Sequence, residues 1–405
     1  MPTLKSLAAG TPDFDRWTQV TKVLDALSPG EQEAAVQEFE AASAHWPTTL
    51  DPWTGFNIAP GIELRRSPEH WAKEIYSGQY APKHDIARIV TSPRRPMRAQ
   101  KLECLLDPGT RLPNVAQVGF EQAKISAGFL KALKGDGTWR RWRALRLWTC
   151  EMKAPQLKVL GAADLTSLEQ LNLEQNRMGE AGILGLSKAP GFAALTAVHL
   201  GSNDLDASAA KALGAMDWVR RLTWLNLQYN KLSDIALDLL AEGGATHRLR
   251  WLSLSYNHVA RTASPWMSAL PALESLQLNN TNVSATSLEA LLAQTPALHT
   301  LSVAATDVGD DGARAIAASG RRFRSLALGM TGMTPDGLGA ILRSPAAADV
   351  ERLELGAGLD LANAKLLTDG ACPKLKFLWW HGPEIGTGVE AALRADARIA
   401  ATLPH

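Results

Sequence analysis

Nine histidines and three cysteines are the residues of this chain best suited to metal or nucleophilic chemistry, and their spacing supports neither. His45, His70, His84, His199, His247, His258, His299, His381 and His405 contain no HExxH and no other pair at metal-ligand spacing. His84 adjoins Asp85 in "HDIAR", which a solvated helix start explains. Cys104, Cys150 and Cys372 form no CxxC pair, so neither a disulfide framework nor a zinc site is indicated, and the thiols are expected to be reduced and mostly buried. Cys372, before Pro373 in a loop, is the only one of the three that is a candidate for a reactive thiol, as the minority reading. Asp310 and Asp311 in "GDDGAR" diverge as adjacent residues and suit a helix start better than joint acid–base work. The glycines of "LGAGLD" at 355–360 lack the strand, the spacing and the following acidic residue of a dinucleotide site. No catalytic residue, metal site or cofactor is expected.

Composition narrows the partners. The 405 residues allow two or three domains or one repeat array, and 46% hydrophobic with 20% charged residues describes a core-forming protein. A formal net charge of +1 lacks the field that nucleic acid binding usually uses. The N-terminus has no apolar run of secretory length, and none elsewhere would span a bilayer. The expectation is a cytoplasmic protein with no nucleic acid or membrane partner.

The elements that position these residues come from a repeat. In "LTWLNLQYNKLSDIALDLL", residues 222 to 240, apolar and polar residues alternate, the pattern stops at Asn230, and a helical spacing follows. Leu222, Leu225, Leu227, Asn230 and Leu232 define the frame LxxLxLxxNxL. The Asn position recurs at Asn176, Asn203 and Asn257, continues as Thr281, Thr306 and Thr331, and has weaker copies at Gly358 and Pro383 and, upstream, at Cys150 and Ala123. Successive copies lie 24 to 27 residues apart. In all eleven, the three positions that match Leu222, Leu225 and Leu227 are apolar, from Val115, Val118 and Phe120 to Leu375, Leu378 and Trp380. Each alternating half reads as a short strand with inward aliphatics, paired in parallel with its neighbours. The Asn or Thr side chain is expected to bond backbone groups of the turn, and Ser233 or Asp234 and Ser284 to cap the returning helices.

This frame resembles the leucine-rich repeat family and, with a helical return in each unit, its ribonuclease-inhibitor-like class. The resemblance implies an α/β solenoid, a horseshoe with a concave parallel sheet and convex helices, some of them short because the units are short. It implies a bacterial-type repeat protein that meets partners on the concave face.

Three regions follow. Residues 1–114 are expected to be a helical N-terminal cap or small domain, from the helical spacing of Phe14, Trp17, Val20, Leu24 and Leu27, the capping arrangement of Ser28 and Glu31, and a similar start at "SPEHWAKEI", 67–75. "TSPRRPMR" at 91–98 reads as a basic surface connection. Residues 115–387 hold about eleven repeats, and 388–405 a capping helix.

On the outward strand positions a pattern stands out. Trp224 and Trp251 precede the second Leu in neighbouring units, and Tyr229 and Tyr256 precede the ladder Asn in the same two. In-register pairing would set each pair side by side. Asn226, Gln228, Ser253 and Ser255 surround them, with Gln170, Asn172, Glu174 and His199 to one side and Gln277 and Asn279 to the other. Exposed aromatics among amides and hydroxyls match binding hot spots; the alternative is that the rings cover one another or are covered by a terminal domain. Trp148, Trp379 and His381 extend the surface, and charges on it, such as Glu121, Arg146, Arg352 and Glu354, are sparse and of mixed sign. The leading expectation is a non-catalytic module that binds a protein or peptide. The alternatives are an adaptor recruiting a second protein, for example of the ubiquitin pathway, through its N-terminal region, and a peptide-modifying enzyme assembled from distant repeats.

Overall fold

The computed structural model of the protein describes residues 3–8, 19–20, 22–24, 26–42, 62–65, 87–91 and 117–400, the last without 126, 134–139, 141, 188, 357 and 381–386. It divides into two compact units, Met1–His199 and Leu200–His405. Phe14, Trp17, Cys104, Trp139, His381, "SPEHWAKEI" and residues 92–98 lie outside the described residues.

In the first unit, helices Leu4–Ala8 and Pro29–Ala42 belong to a small core of Leu7, Val20, Leu24 and Phe39. Ser28 begins the second helix: its N–H and Oγ both donate to Glu31 Oε2, at 2.9 and 2.6 Å. Six parallel strands then follow in chain order, β1 (Ile62–Arg65), β2 (Ala87–Thr91), β3 (Gln117–Glu121), β4 (Ala144–Trp148), β5 (Gln170–Asn172) and β6 (Ala197–His199). Two of these precede the eleven repeats counted from the sequence. Leu64 and Val90 align with Val118, yet two residues further on, where β3 has Phe120, the sequence has Arg66 and Ser92. With the third apolar position missing, the frame does not register there.

The second unit carries β7 (Trp224–Asn226), β8 (Trp251–Ser253), β9 (Ser275–Gln277), β10 (Thr300–Ser302), β11 (Ser325–Leu328), β12 (Arg352–Leu355) and β13 (Phe377–Trp380), each parallel to the next and in register. In both units, every described member of the apolar triples is at most 5% exposed except Trp380, which is partly buried. Fully burying one such aliphatic contributes about 1.5–3 kcal/mol.

Within each unit, the ladder asparagines tie one repeat to the next. Asn230 Oδ1 accepts from the N–H groups of Asn203 and Leu205 in the preceding turn, both at 3.0 Å, and Nδ2 donates to the carbonyls of Leu200 at 3.0 Å and Leu227 at 2.8 Å. In the first unit Asn176 bridges in the same way to Cys150 N, Met152 N and Leu147 O. The threonines do less: Thr281, Thr306 and Thr331 donate to Leu278, Val303 and Leu328 of their own turns. A hydroxyl is too short to reach the neighbouring unit as the carboxamide does.

The residue before each ladder position from Ala123 to Thr331 is left-handed. Gln122, Thr149 and Gln175 in the first unit, and Ser202, Tyr229, Tyr256, Asn280, Ala305 and Met330 in the second, have φ between 52° and 59°. Non-glycine residues adopt this at a cost of roughly 1–2 kcal/mol. The turn brings the next N–H groups onto the Asn, so the strain persists where the ladder bonds over-determine it.

Helices return the chain. Ser233 caps Asp234–Ala241, and Ser284 caps Ala285–Gln294 with a reciprocal bond to Ser287. Asp234 is no cap; its Oδ1 accepts from Ala260 N at 2.7 Å and Trp266 Nε1 at 3.1 Å in the next repeat. The shortest spacing, from Asn257 to Thr281, carries only the 3-10 turn Pro265–Ala269, one of the expected irregular returns.

The ladder geometry predicts unequal mutational costs. Asn230→Ala orphans several buried backbone groups at about 1–3 kcal/mol each, whereas Thr281→Ala removes one bond worth about 1 kcal/mol. Urea unfolding should show the Asn variant to be the weaker by about 2 kcal/mol or more. Equal losses would contradict the bridging role.

Candidate functional site

Parallel strands sit about 4.8 Å apart, so identical side chains at matched positions meet face to face. Trp224 and Trp251 are matched across β7 and β8, and their rings stack at 4.0 Å and 5°. Each ring closes off its neighbour, and both residues are only 6% exposed. The expected pair of exposed indoles is therefore corrected: flat rings at strand spacing bury each other's faces. Tyr229 and Tyr256 also stack, at 3.9 Å and 12°, but sit on the left-handed turns beyond the strand ends and remain 49% and 42% exposed.

The polar residues around the rings divide into those holding turns and those facing outward. Asn226 Oδ1 accepts from Gln228 N at 3.0 Å, and Asn172 Oδ1 from Glu174 N at 2.9 Å in the first unit, so both brace the exit from their strands. The shared signal was an Asn four residues before a ladder Asn. Ser255 Oγ accepts from Asn279 N, and Asn279 Oδ1 accepts from Ala304 N and Ser302 Oγ. Ser253 and Ser255 are buried, and Gln228, Gln277 and Asn279 half-buried. Ser275, matched with Trp251 on the next strand, was not singled out from the sequence. Its signal was a small hydroxyl where the two preceding units carry Trp.

In the first unit, half-buried Gln170 and Glu174 lie on the same strand face as Arg146, Asn172 and His199. Arg146 pairs with Glu121 at 3.1 Å and lies 5.4 Å from the ring centre of half-buried Trp148. His199 is buried beside Asn172. Burial, and then the charge of Arg146, hold its imidazole well below the usual histidine range. It is neutral at pH 7 and carries no charge to a ligand. At the other end of the chain, Trp379 is 49% exposed on β13, and Phe377 on the same face lies 5.2 Å from the Arg352 guanidinium. His381 lies outside the described residues.

The reactive groups resolve into structural ones. Burial pushes the Cys150 thiol up to about 12, and its Sγ donates to Phe120 O and Trp148 O. Cys372 is completely buried, so its place in a loop before Pro373 does not make it an accessible thiol. Asp310 accepts from Thr334 N at 2.8 Å and Thr334 Oγ at 2.7 Å, while Asp311 pairs with Arg314 at 2.5 Å, so the carboxylates part as adjacent helix residues must. No group of three or more His, Cys, Asp or Glu side chains suited to a metal occurs among the described residues.

Short parallel strands, buried apolar triples in the described repeats, and an Asn or Thr at the turn that bonds its backbone together define an α/β leucine-rich repeat fold. Residues 213–385 match the family model described as FBD-associated F-box protein At5g56370, LRR repeats, so that part of the chain is built of leucine-rich repeats. No curated protein matches the sequence. Among solved structures, the chain is similar to an internalin (inlF) from Listeria monocytogenes, with 13% identity, TM-score 0.46, and 93% of this chain and 97% of that one covered. It is also similar to the Toll of a Toll–Spätzle complex from Drosophila, with 15% identity, TM-score 0.44, and 82% and 41% covered. A third likeness is to a TLR13–ssRNA13 complex, with 16% identity, TM-score 0.40, and 76% and 40% covered. The chain thus spans less than half the length of the last two matched chains. Likenesses at this level add nothing to the match over residues 213–385.

The two ring pairs should behave differently in folding. Trp224→Ala with Trp251→Ala should cost several kcal/mol in thermal unfolding, since truncating a buried Trp costs about 3–5 kcal/mol. Tyr229→Ala with Tyr256→Ala should cost about 1 kcal/mol, the scale of one exposed aromatic pair. In the native protein at about pH 8, Cys150 and Cys372 should not react with a disulfide reagent until urea exposes them; prompt labelling of either would contradict the burial.

Proposed function

We propose that the chain is a non-catalytic recognition module that takes a protein or peptide on the open face of its sheet and the adjoining rim of turns. The observation that carries this reading is the Tyr229–Tyr256 stack: two large rings, pre-ordered by each other and by left-handed turns, yet half-open to solvent. Ordered aromatics of this kind add contact area with little entropy left to lose. Stacked repeats supply the extended face on which solenoid proteins bind. The mixed-sign charges of the face favour a polypeptide over nucleic acid, and RNA is kept as an outcome of the test.

A second reading draws on the family description. It names an F-box protein, and the match covers only the repeats. The small core of Leu7, Val20, Leu24 and Phe39 would then recruit a second protein, for example from the ubiquitin pathway, while the repeats choose a target. Among the described residues no helix is long and apolar enough to cross a membrane. A cytoplasmic site of action suits the buried thiol of Cys150 and is part of the proposal.

Affinity capture with the intact chain, compared by mass spectrometry and RNA sequencing with the Tyr229→Ala/Tyr256→Ala variant, tests the reading. The variant should remain folded and lose its protein partner by about 2 kcal/mol or more in titration, the scale of a hot-spot truncation. Unchanged affinity, or capture of RNA alone, would refute it.

A further inference from the structure

On the open face of the second unit, Trp251 Nε1, Ser253 Oγ and Ser275 Oγ lie on adjoining positions, sealed from solvent and with no hydrogen-bond partner. All three residues are more than nine-tenths buried. Trp251 is matched with Ser275 across the sheet, and Ser253 follows two residues after Trp251 on the same face. Their backbones are thus about 5–8 Å apart. Three other polar groups close by do find partners: Asn226 Oδ1, Ser255 Oγ and Asn279 Oδ1 all accept backbone N–H groups. Strand geometry therefore does not force orphans on this face, and native proteins leave few such groups unmade without a reason.

The flanking matched positions are uncharged. Asn226 and Gln277 stand on either side of Ser253, and Trp224 and Thr300 lie in the row of Trp251 and Ser275. An ion entering here would be desolvated with no counter-charge on these strands, which is strongly unfavourable. An alkyl group would leave the same three atoms unmade. A carboxamide fits both demands: its carbonyl accepts from the indole N–H and one hydroxyl, and its NH2 donates to the other hydroxyl.

We infer that Trp251, Ser253 and Ser275 form a latent subsite for a neutral carboxamide, the side chain of an Asn or Gln presented by the peptide partner. Solvent does not reach the three atoms in the free chain, so the incoming group displaces the Trp251 indole from its stack as it enters. This rests on the reading of the open face as the binding face and adds the chemistry of what enters it.

The test uses the full-length chain labelled with 15N and three probes capped as N-methylamides so that only the Asn side chain supplies a primary carboxamide: Ac-Gly-Asn-Gly-NHCH3, Ac-Gly-Asp-Gly-NHCH3 and Ac-Gly-Leu-Gly-NHCH3. The Asn probe should shift the Trp251 indole N–H resonance, assigned by its loss in Trp251→Phe, in a saturable way that the Asp and Leu probes do not match. Ser253→Ala and Ser275→Ala should each weaken that response by about three- to tenfold, the scale of one hydrogen bond, while leaving the melting temperature of the free chain unchanged or raised. A hydroxyl with a purely structural role would lower it. Equal responses to all three probes, no response to the Asn probe, a response to N-acetylglucosamine in its place, or a fall in melting temperature for both serine variants would overturn the inference. If the probes are silent while the tyrosine variant still loses its partner, the subsite fails and the proposed function stands.

Discussion

A single repeat of this chain presents three aliphatic side chains and a turn full of backbone polar groups, and it can satisfy neither alone. The aliphatics need a neighbour to exclude water, and the turn needs a donor and an acceptor from outside itself. The ladder asparagine answers the second need with one carboxamide: Asn230 takes two N–H groups of the preceding turn and gives to carbonyls on both sides. Stability therefore accrues between units and not within them. Where threonine replaces asparagine, from Thr281 onward, the bond contracts to its own turn and the tie between units falls to packing and the sheet.

The same constraint shapes the surface. Once strands are parallel and in register, every side chain on the open face stands about 4.8 Å from its counterpart in the next repeat. Large flat residues respond by stacking, as both ring pairs do. What differs is where the strand ends. Trp224 and Trp251 lie within the ladder of strands and are enclosed; Tyr229 and Tyr256 lie one residue before the ladder asparagine, where the left-handed turn lifts them to the rim. A fold requirement thus displays an aromatic pair.

Much of this was legible in the sequence because the repeat is redundant. The apolar triples announced strand positions, the Asn-to-Thr series announced the turns, and the neighbouring Trp and Tyr pairs announced stacking once register was assumed. Less legible was burial on the open face, since period-two alternation says which way a side chain points and not what its neighbour covers. The first two strands were hidden for a different reason: Arg66 and Ser92 occupy the third apolar position, so the frame that found eleven copies passes over them. Ser253 and Ser275 carried no signal as single residues, because an unmade hydrogen bond is a property of the assembled face. The Asn four residues before the ladder asparagine, in Asn172 and Asn226, was visible but looked like a ligand-facing amide, when its acceptor serves the turn.

Parallel, in-register stacking is the claim on which fold, rim and subsite all depend, and disulfide trapping measures it most directly. In a chain whose native cysteines are replaced by alanine, Ser275→Cys with Thr300→Cys joins matched positions on adjacent strands, within the roughly 4.4–6.8 Å that a disulfide spans. Ser275→Cys with Leu301→Cys places the second thiol on the opposite face. The account predicts rapid oxidation of the first pair and none of the second; equal trapping of both, or trapping of the second alone, would contradict it.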